Sequence, residues 1–166
     1  MILVVGCTHG IQPEEDQQFP DTVQEREQRG KFAVFICRII NDNKIQFVGE
    51  EWGLPHTSIA HAVAEAHDQI PWFNINTSLV ELREMGIPDN YVGGDYSAEQ
   101  KAQWNRQREK VMIRKLRDNQ RTAKRLIVVC GFDHMLPLTE SLRNECRFVQ
   151  FMDYRTLPWY DGALLP

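Results

Sequence analysis

Two runs of four consecutive apolar residues, Ile2-Leu3-Val4-Val5 and Leu126-Ile127-Val128-Val129, show no polar alternation. A strand that faces water on one side alternates, so these two read as strands covered on both faces. Such strands belong to a sheet with helices above and below it. The rest of the chain supplies the pieces. Ile45–Val48, ending at Gly49-Glu50-Glu51, reads as a second strand; Ile70–Ile75 reads as a third, with Pro71 tolerable near its start; Phe148–Phe151 reads as a last one. Between them lie segments of helical period. Asp21-Thr22 with Glu25 has the form of a capping box and opens a helix to about Asn41. That helix carries Phe32, Ile36, Ile39 and Ile40 on one side, although 32–40 is also β-prone. Ser58–Asp68 is alanine-rich. Ser78 and Glu81 open a short helix that Gly86, Ile87 and Pro88 stop, and a long helix runs from about Ser97 to Asn119 with Trp104, Val111, Met112 and Leu116 near a helical period. A further helix runs through Leu142.

Strands alternating with crossover-length helices predict a three-layer α/β fold with a mostly parallel sheet of about five strands and helices on both faces. At 166 residues, with 42% hydrophobic content, one domain over 1–166 accounts for the chain, with a tail at 155–166 that docks on the body. Nineteen basic against 23 acidic residues give a net charge of −4, which argues against a general nucleic-acid binder. The basic stretch from Arg106 to Arg125 reads as a solvated helix face. Cys7, Cys37, Cys130 and Cys146 form no C-x-x-C pair and fit reduced, mostly buried thiols. No run approaches the roughly 20 apolar residues of a membrane span. The expectation is a soluble, cytoplasmic protein without a membrane partner, with homo-oligomerisation left open.

In open parallel sheets, ligands bind beyond the carboxyl ends of the strands. The unusual polar residues fall there repeatedly: His9 after the first strand, Glu50-Glu51 after the second, Asn74 and Asn76 after the third, Asp133-His134 after the fourth. Two ends match each other, Gly6-Cys7-Thr8-His9 and Gly131-Phe132-Asp133-His134, each a G-x-x-H directly after an apolar strand. Glycine lets the chain turn off the strand while the imidazole returns to the sheet edge. Two histidines and a carboxylate can bind a divalent metal and activate its water, or work without metal, with histidine as general base and glutamate positioning it. They can also simply cap their turns by hydrogen bonds. Arg108 on the long helix either holds a substrate carboxylate or oxyanion, or pairs at the surface with Glu109 or another acid. His56 lies near the same edge, and His61 with Glu65 reads as a surface pair. Cys7 and Cys130 flank the motifs, as packed thiols or as a thiolate nucleophile. Trp72 and Phe73 belong either to a cleft or to the core.

The two G-x-x-H motifs, the Gly49-Glu50-Glu51 strand end and the R-E-x-x-M helix, Arg108 to Met112, together resemble the superfamily of TraB/TIKI proteins, erythromycin esterases and ChaN-like haem-binding proteins. The resemblance runs in order from about Val4 to Phe151. It implies a hydrolase acting on an amide or ester of a small molecule or peptide. For TIKI-type members it implies assistance by Mn²⁺, Co²⁺ or Zn²⁺, with His9, Glu51 and His134 as metal ligands and Glu50, Glu51 and Arg108 as catalytic residues. Erythromycin esterases imply the same layout without metal. ChaN-like members imply the alternative, a non-catalytic protein using the same cleft for haem, a small ligand or a protein partner. This chain is shorter than most members, and Asn74 and Asn76 stand where many carry an acid, a change that weakens metal affinity.

Overall fold

The computed structural model describes residues 1–7, 12, 22–53, 57–67, 70–91, 93–120, 124–144, 146 and 148–157. Ten elements follow in order: β1 (Ile2–Cys7), α1 (Val23–Asn43), β2 (Phe47–Glu50), α2 (Ile59–Ala66), β3 (Trp72–Asn74), α3 (Leu79–Glu84), α4 (Ala98–Gln120), β4 (Leu126–Gly131), α5 (Phe132–Arg143) and β5 (Val149–Asp153), closed by a short 3₁₀ turn at Tyr154–Thr156. The five strands form one sheet in the order β3-β2-β4-β1-β5, and every pairing is parallel. The expected three-layer architecture is therefore present. No helix among the described residues is long and apolar enough to cross a membrane.

The two unbroken apolar runs lie side by side near the middle of the sheet, Val4 opposite Val128 and Val5 opposite Val129. Strand alternation sends their side chains to two separate cores. Leu3, Val5, Ile127 and Val129 pack with Phe32, Ile36, Ile39 and Ile40 of α1 and with Ile59, Ala60 and Ala64 of α2. Ile2, Val4, Leu126 and Val128 pack with Met112, Ile113 and Leu116 of α4 and with Met135, Leu138 and Leu142 of α5. The helical reading of α1 holds despite its β-prone stretch, because its four isoleucine and phenylalanine positions share one buried stripe. Thr22 caps it: the Glu25 N–H donates to Thr22 Oγ1 at 3.2 Å and the Thr22 N–H donates to Glu25 at 2.7 Å, the reciprocal pattern of the capping box. Ser78 and Glu81 do the same for α3.

Three expectations need correction. The second strand lies two residues later than its apolar run implies. Ile45 turns into the α1–α2 core, while Glu50 pairs with Val129 on one side and Asn74 on the other. The third strand is only Trp72–Asn74, flanked by Ile70-Pro71 and by a turn held by the Asn74 side chain. Of the two G-x-x-H glycines, Gly6 lies inside β1 and turns nothing, while Gly131 ends β4 and caps α5 at φ −60°, without a left-handed conformation. β4 runs straight through Gly131 into α5, so His134 stands in the first turn of a helix.

Gly6 is small for a different reason. A Cβ at this position would lie 2.5 Å from Met135 Sδ and 3.0 Å from Met135 Cβ, so its absence lets α5 sit directly on β1. The sulfur can swing aside, but the Met135 Cβ is fixed to the helix. Gly6→Ala is expected to cost about 1–3 kcal/mol of overpacking, measurable by urea denaturation; an unchanged midpoint would mean that α5 does not approach β1 this closely.

Candidate functional site

β4 lies between β2 and β1, and the chain leaves its neighbours toward one face and β4 toward the other. α1 and α2, which follow β1 and β2, cover one core; α5, which follows β4, covers the opposite one. Such a switch is where open parallel sheets form a ligand crevice, at the carboxyl ends of the strands. Glu50, Glu51 and Gly131 stand at that edge.

Consecutive residues at a strand end point to opposite faces, and Glu50 and Glu51 divide accordingly. Glu51 faces α4 and α5. Arg108, on α4, donates through Nη2 to Glu51 Oε1 at 2.7 Å and to Asn76 Oδ1 at 3.0 Å. The Gly131 N–H donates to the other Glu51 oxygen at 3.0 Å. Arg108 Nη1 lies 3.0 Å from His134 Nε2, and His134 Nδ1 lies 2.9 Å from Glu109 Oε1. A guanidinium can only donate, so Nε2 is the accepting nitrogen, and the ring proton sits on Nδ1, donated to Glu109. Glu51, Arg108, Glu109 and His134 are all buried, at 1, 7, 7 and 4% exposure. The Tyr91 ring lies 5.2 Å from the Arg108 guanidinium carbon, a cation–π distance. Arg108 Nε is buried with no hydrogen-bond partner among the described residues.

Glu50 faces the α1–α2 side. It accepts from the Ser58 hydroxyl, from Trp72 Nε1 at 2.9 Å and from Gln12 Nε2 at 3.3 Å. Burial outweighs these three donors and pushes the carboxyl up to about 7. Gln12 also donates to the Glu51 carbonyl at 3.0 Å and accepts from the Ile59 N–H at 2.7 Å. It thereby ties the start of α2 to the end of β2.

The structure thus brings together Glu51, Arg108 and His134, and places Glu50 behind them in a separate polar pocket. His9 and His56 lie outside the described residues, as does the tail from residue 158 onward. Arg108 is buried and pairs with Glu51, while Glu109 turns to His134. Glu109 was visible in the sequence only as a partner for its neighbour, and Gln12 gave no signal among the polar residues around it. Asn74 serves structure: it accepts from the Trp52 N–H at 3.2 Å and donates to the Trp52 carbonyl at 2.6 Å. His61 and Glu65 do form a surface pair, at 3.4 Å. Trp72 is a half-buried donor to Glu50, whereas Phe73 packs at a tilt against Phe47 with centroids 4.4 Å apart. Burial, followed by the neighbouring Cys130 and Glu50, pushes the Cys7 thiol well up, and burial does the same to Cys130. Both behave as packed thiols.

The described part of this edge fits a divalent cation poorly. His134 Nε2 and Glu51 Oε1 are 3.5 Å apart, and the guanidinium of Arg108 already contacts both atoms, so a metal bridging them would have to displace a cation. Among the described residues no group of three histidine, cysteine or acidic side chains is arranged to hold a metal. No protein-family model matches the chain, and no curated protein or solved structure matches it significantly.

Proposed function

We propose that the crevice is a hydrolytic site for an amide or ester, with His134 as general base and no metal in the reaction. The observation that carries this reading is the Glu109–His134 pair. Its carboxylate fixes the proton on Nδ1, leaving a basic Nε2 lone pair at the strand edge, the arrangement that general-base histidines need. Arg108 covers that lone pair and is itself held by Glu51 and Asn76. A substrate carbonyl that draws Nη1 away would uncover Nε2 and meet a cation at the same moment.

The steps balance. Water gives a proton to His134 Nε2, its oxygen bonds to the carbonyl carbon, and the π electrons move to the carbonyl oxygen beside Arg108. On collapse, the bond to the leaving oxygen or nitrogen breaks, and the leaving group takes the proton back from Nε2. Glu109 and Glu51 act here as positioning residues.

A panel of activated esters and anilides tests this. His134→Ala should lose about 10²–10⁴-fold in kcat/KM and Glu109→Gln should lose less, each assayed at a temperature where the variant is folded, because His134→Ala takes the imidazole from the buried Glu109 carboxylate. Full activity in His134→Ala overturns the reading. Elemental analysis with chelator treatment separates the metal-assisted version, in which His9, Glu51 and His134 hold Mn²⁺, Co²⁺ or Zn²⁺. Activity lost with a stoichiometric metal and restored by it would select that version.

The alternative, a binding protein using the same crevice, draws support from the Arg108–Glu51 pairing, in which the charges already satisfy each other. Haem is the version simplest to check: a Soret shift on titration supports it, and an unchanged spectrum removes it.

A further inference from the structure

Away from the crevice, α1 and α2 bring three side chains together on their outer ends. Cys37, in the C-terminal half of α1, has its Sγ 3.4 Å from Nε2 of His67, the residue that ends α2. Asn41, one turn along α1, reaches both: its Nδ2 is 3.3 Å from His67 Nε2 and 3.6 Å from Cys37 Sγ. His67 Nδ1 lies 2.8 Å from the Val63 carbonyl. That oxygen can only accept, so the Nδ1 proton is committed to it, and Nε2 presents its lone pair to the thiol. The tautomer has a cause in the fold. The last four carbonyls of a helix lack partners within it, and Val63 is the first of these four in α2, one turn before His67.

We infer that Cys37 is the reactive thiol of this chain, a modification site in which His67 is the base and low-molecular-weight disulfides are the reaction partners. The geometry is that of an activated nucleophile: a thiol, an imidazole nitrogen whose lone pair faces both that thiol and the Asn41 amide, and a third group that orients the ring. The proton passes from Cys37 Sγ to His67 Nε2, at the end of α2, where the helix dipole favours a positive charge. Asn41 Nδ2 supports the sulfur once it is charged. The thiolate then attacks one sulfur of the disulfide, a mixed disulfide forms on Cys37, and the departing thiolate takes the proton from His67. No other oxidant is required. Cys37, His67 and Asn41 are half-buried or exposed, so a small reagent can reach them.

The other cysteines are internal controls. Cys7 and Cys130 are buried. Cys146 is half-buried like Cys37, but its partner among the described residues is the Phe148 carbonyl, at 3.8 Å, and not an imidazole.

The folded protein is treated with iodoacetamide and, separately, with oxidised glutathione, and each cysteine is followed by peptide mass spectrometry. Cys37 should react about tenfold or more faster than Cys146 with both reagents. His67→Ala should bring Cys37 down to about the rate of Cys146 while leaving Cys146 unchanged. Silence at Cys7 and Cys130 in every sample shows that the fold is intact. If His67→Ala opens the fold, His67→Gln keeps a polar side chain at the helix end and should give the same loss. Equal rates at Cys37 and Cys146 in the wild type, or an undiminished Cys37 rate in the folded His67 variant, overturns the assignment.

Discussion

Arg108→Leu is expected to destabilise the protein by about 3–5 kcal/mol, with a correspondingly lower urea midpoint. The guanidinium is buried, and its Nη2 meets Glu51 at 2.7 Å. Removing it leaves a carboxylate at 1% exposure without the cation that offsets its desolvation. The cost is that of a buried charge losing its cation and is not a measure of what the pair contributes. The paired replacement distinguishes the two. Glu51→Leu/Arg108→Leu removes both charges and should cost less than the two single replacements added together, by a coupling of about 1–3 kcal/mol in a double-mutant cycle. If Arg108→Leu alone costs less than about 1 kcal/mol, the pair behaves as a solvent-exposed one, and the crevice is not closed over it.

The second large effect belongs to Glu50. Its carboxyl lies at about 7 when folded against 4.5 for the free side chain. An acid with a raised folded value binds more protons folded than unfolded, so stability falls as pH rises between those two values. The contribution is fully present below 4.5 and gone above about 7. At 1.36 kcal/mol per pH unit, the interval amounts to about 3 kcal/mol. Unfolding free energies measured from pH 4 to pH 8 should show this decline in the wild type. Glu50→Gln, which cannot ionise, should lack it. Identical pH profiles for the two proteins would assign the decline to another group.

The fold was largely legible because its signals are local. Two unalternating apolar runs could only be covered strands, and Thr22/Glu25 and Ser78/Glu81 marked helix starts that the chain uses. The strand-end position of Glu51 and His134 followed from the same reasoning. What escaped depends on how separate helices cross. Nothing in Arg108-Glu109 reveals that adjacent residues reach opposite nitrogens of one imidazole, since that requires α4 and α5 to pack at one particular register. Gly6 looked like a turn residue because its neighbour in space, Met135, is 129 positions away in sequence. The start of β2 was misplaced because Ile45 is apolar for the sake of α1, so its hydrophobicity extended the strand's apparent length. Cys37 and His67 carry no motif at all; only the docking of α1 on α2 brings them together.

The strand order has a consequence for how the molecule comes into being. β4 pairs with β1 on one side and with β2 on the other, while β1 and β2 share no ladder. A nascent chain that has reached residue 120 therefore carries one paired fragment, β2 with β3, and β1 with neither of its ladder partners. Non-local closure of this kind is slow and leaves strand edges open until it completes. Residues 126–131 join β1 to that fragment, and the same six residues deliver the Gly131 N–H to Glu51 and start the helix that bears His134. The polypeptide cannot acquire a continuous sheet on the ribosome without acquiring the crevice in the same step, so premature truncation anywhere before β4 forfeits both.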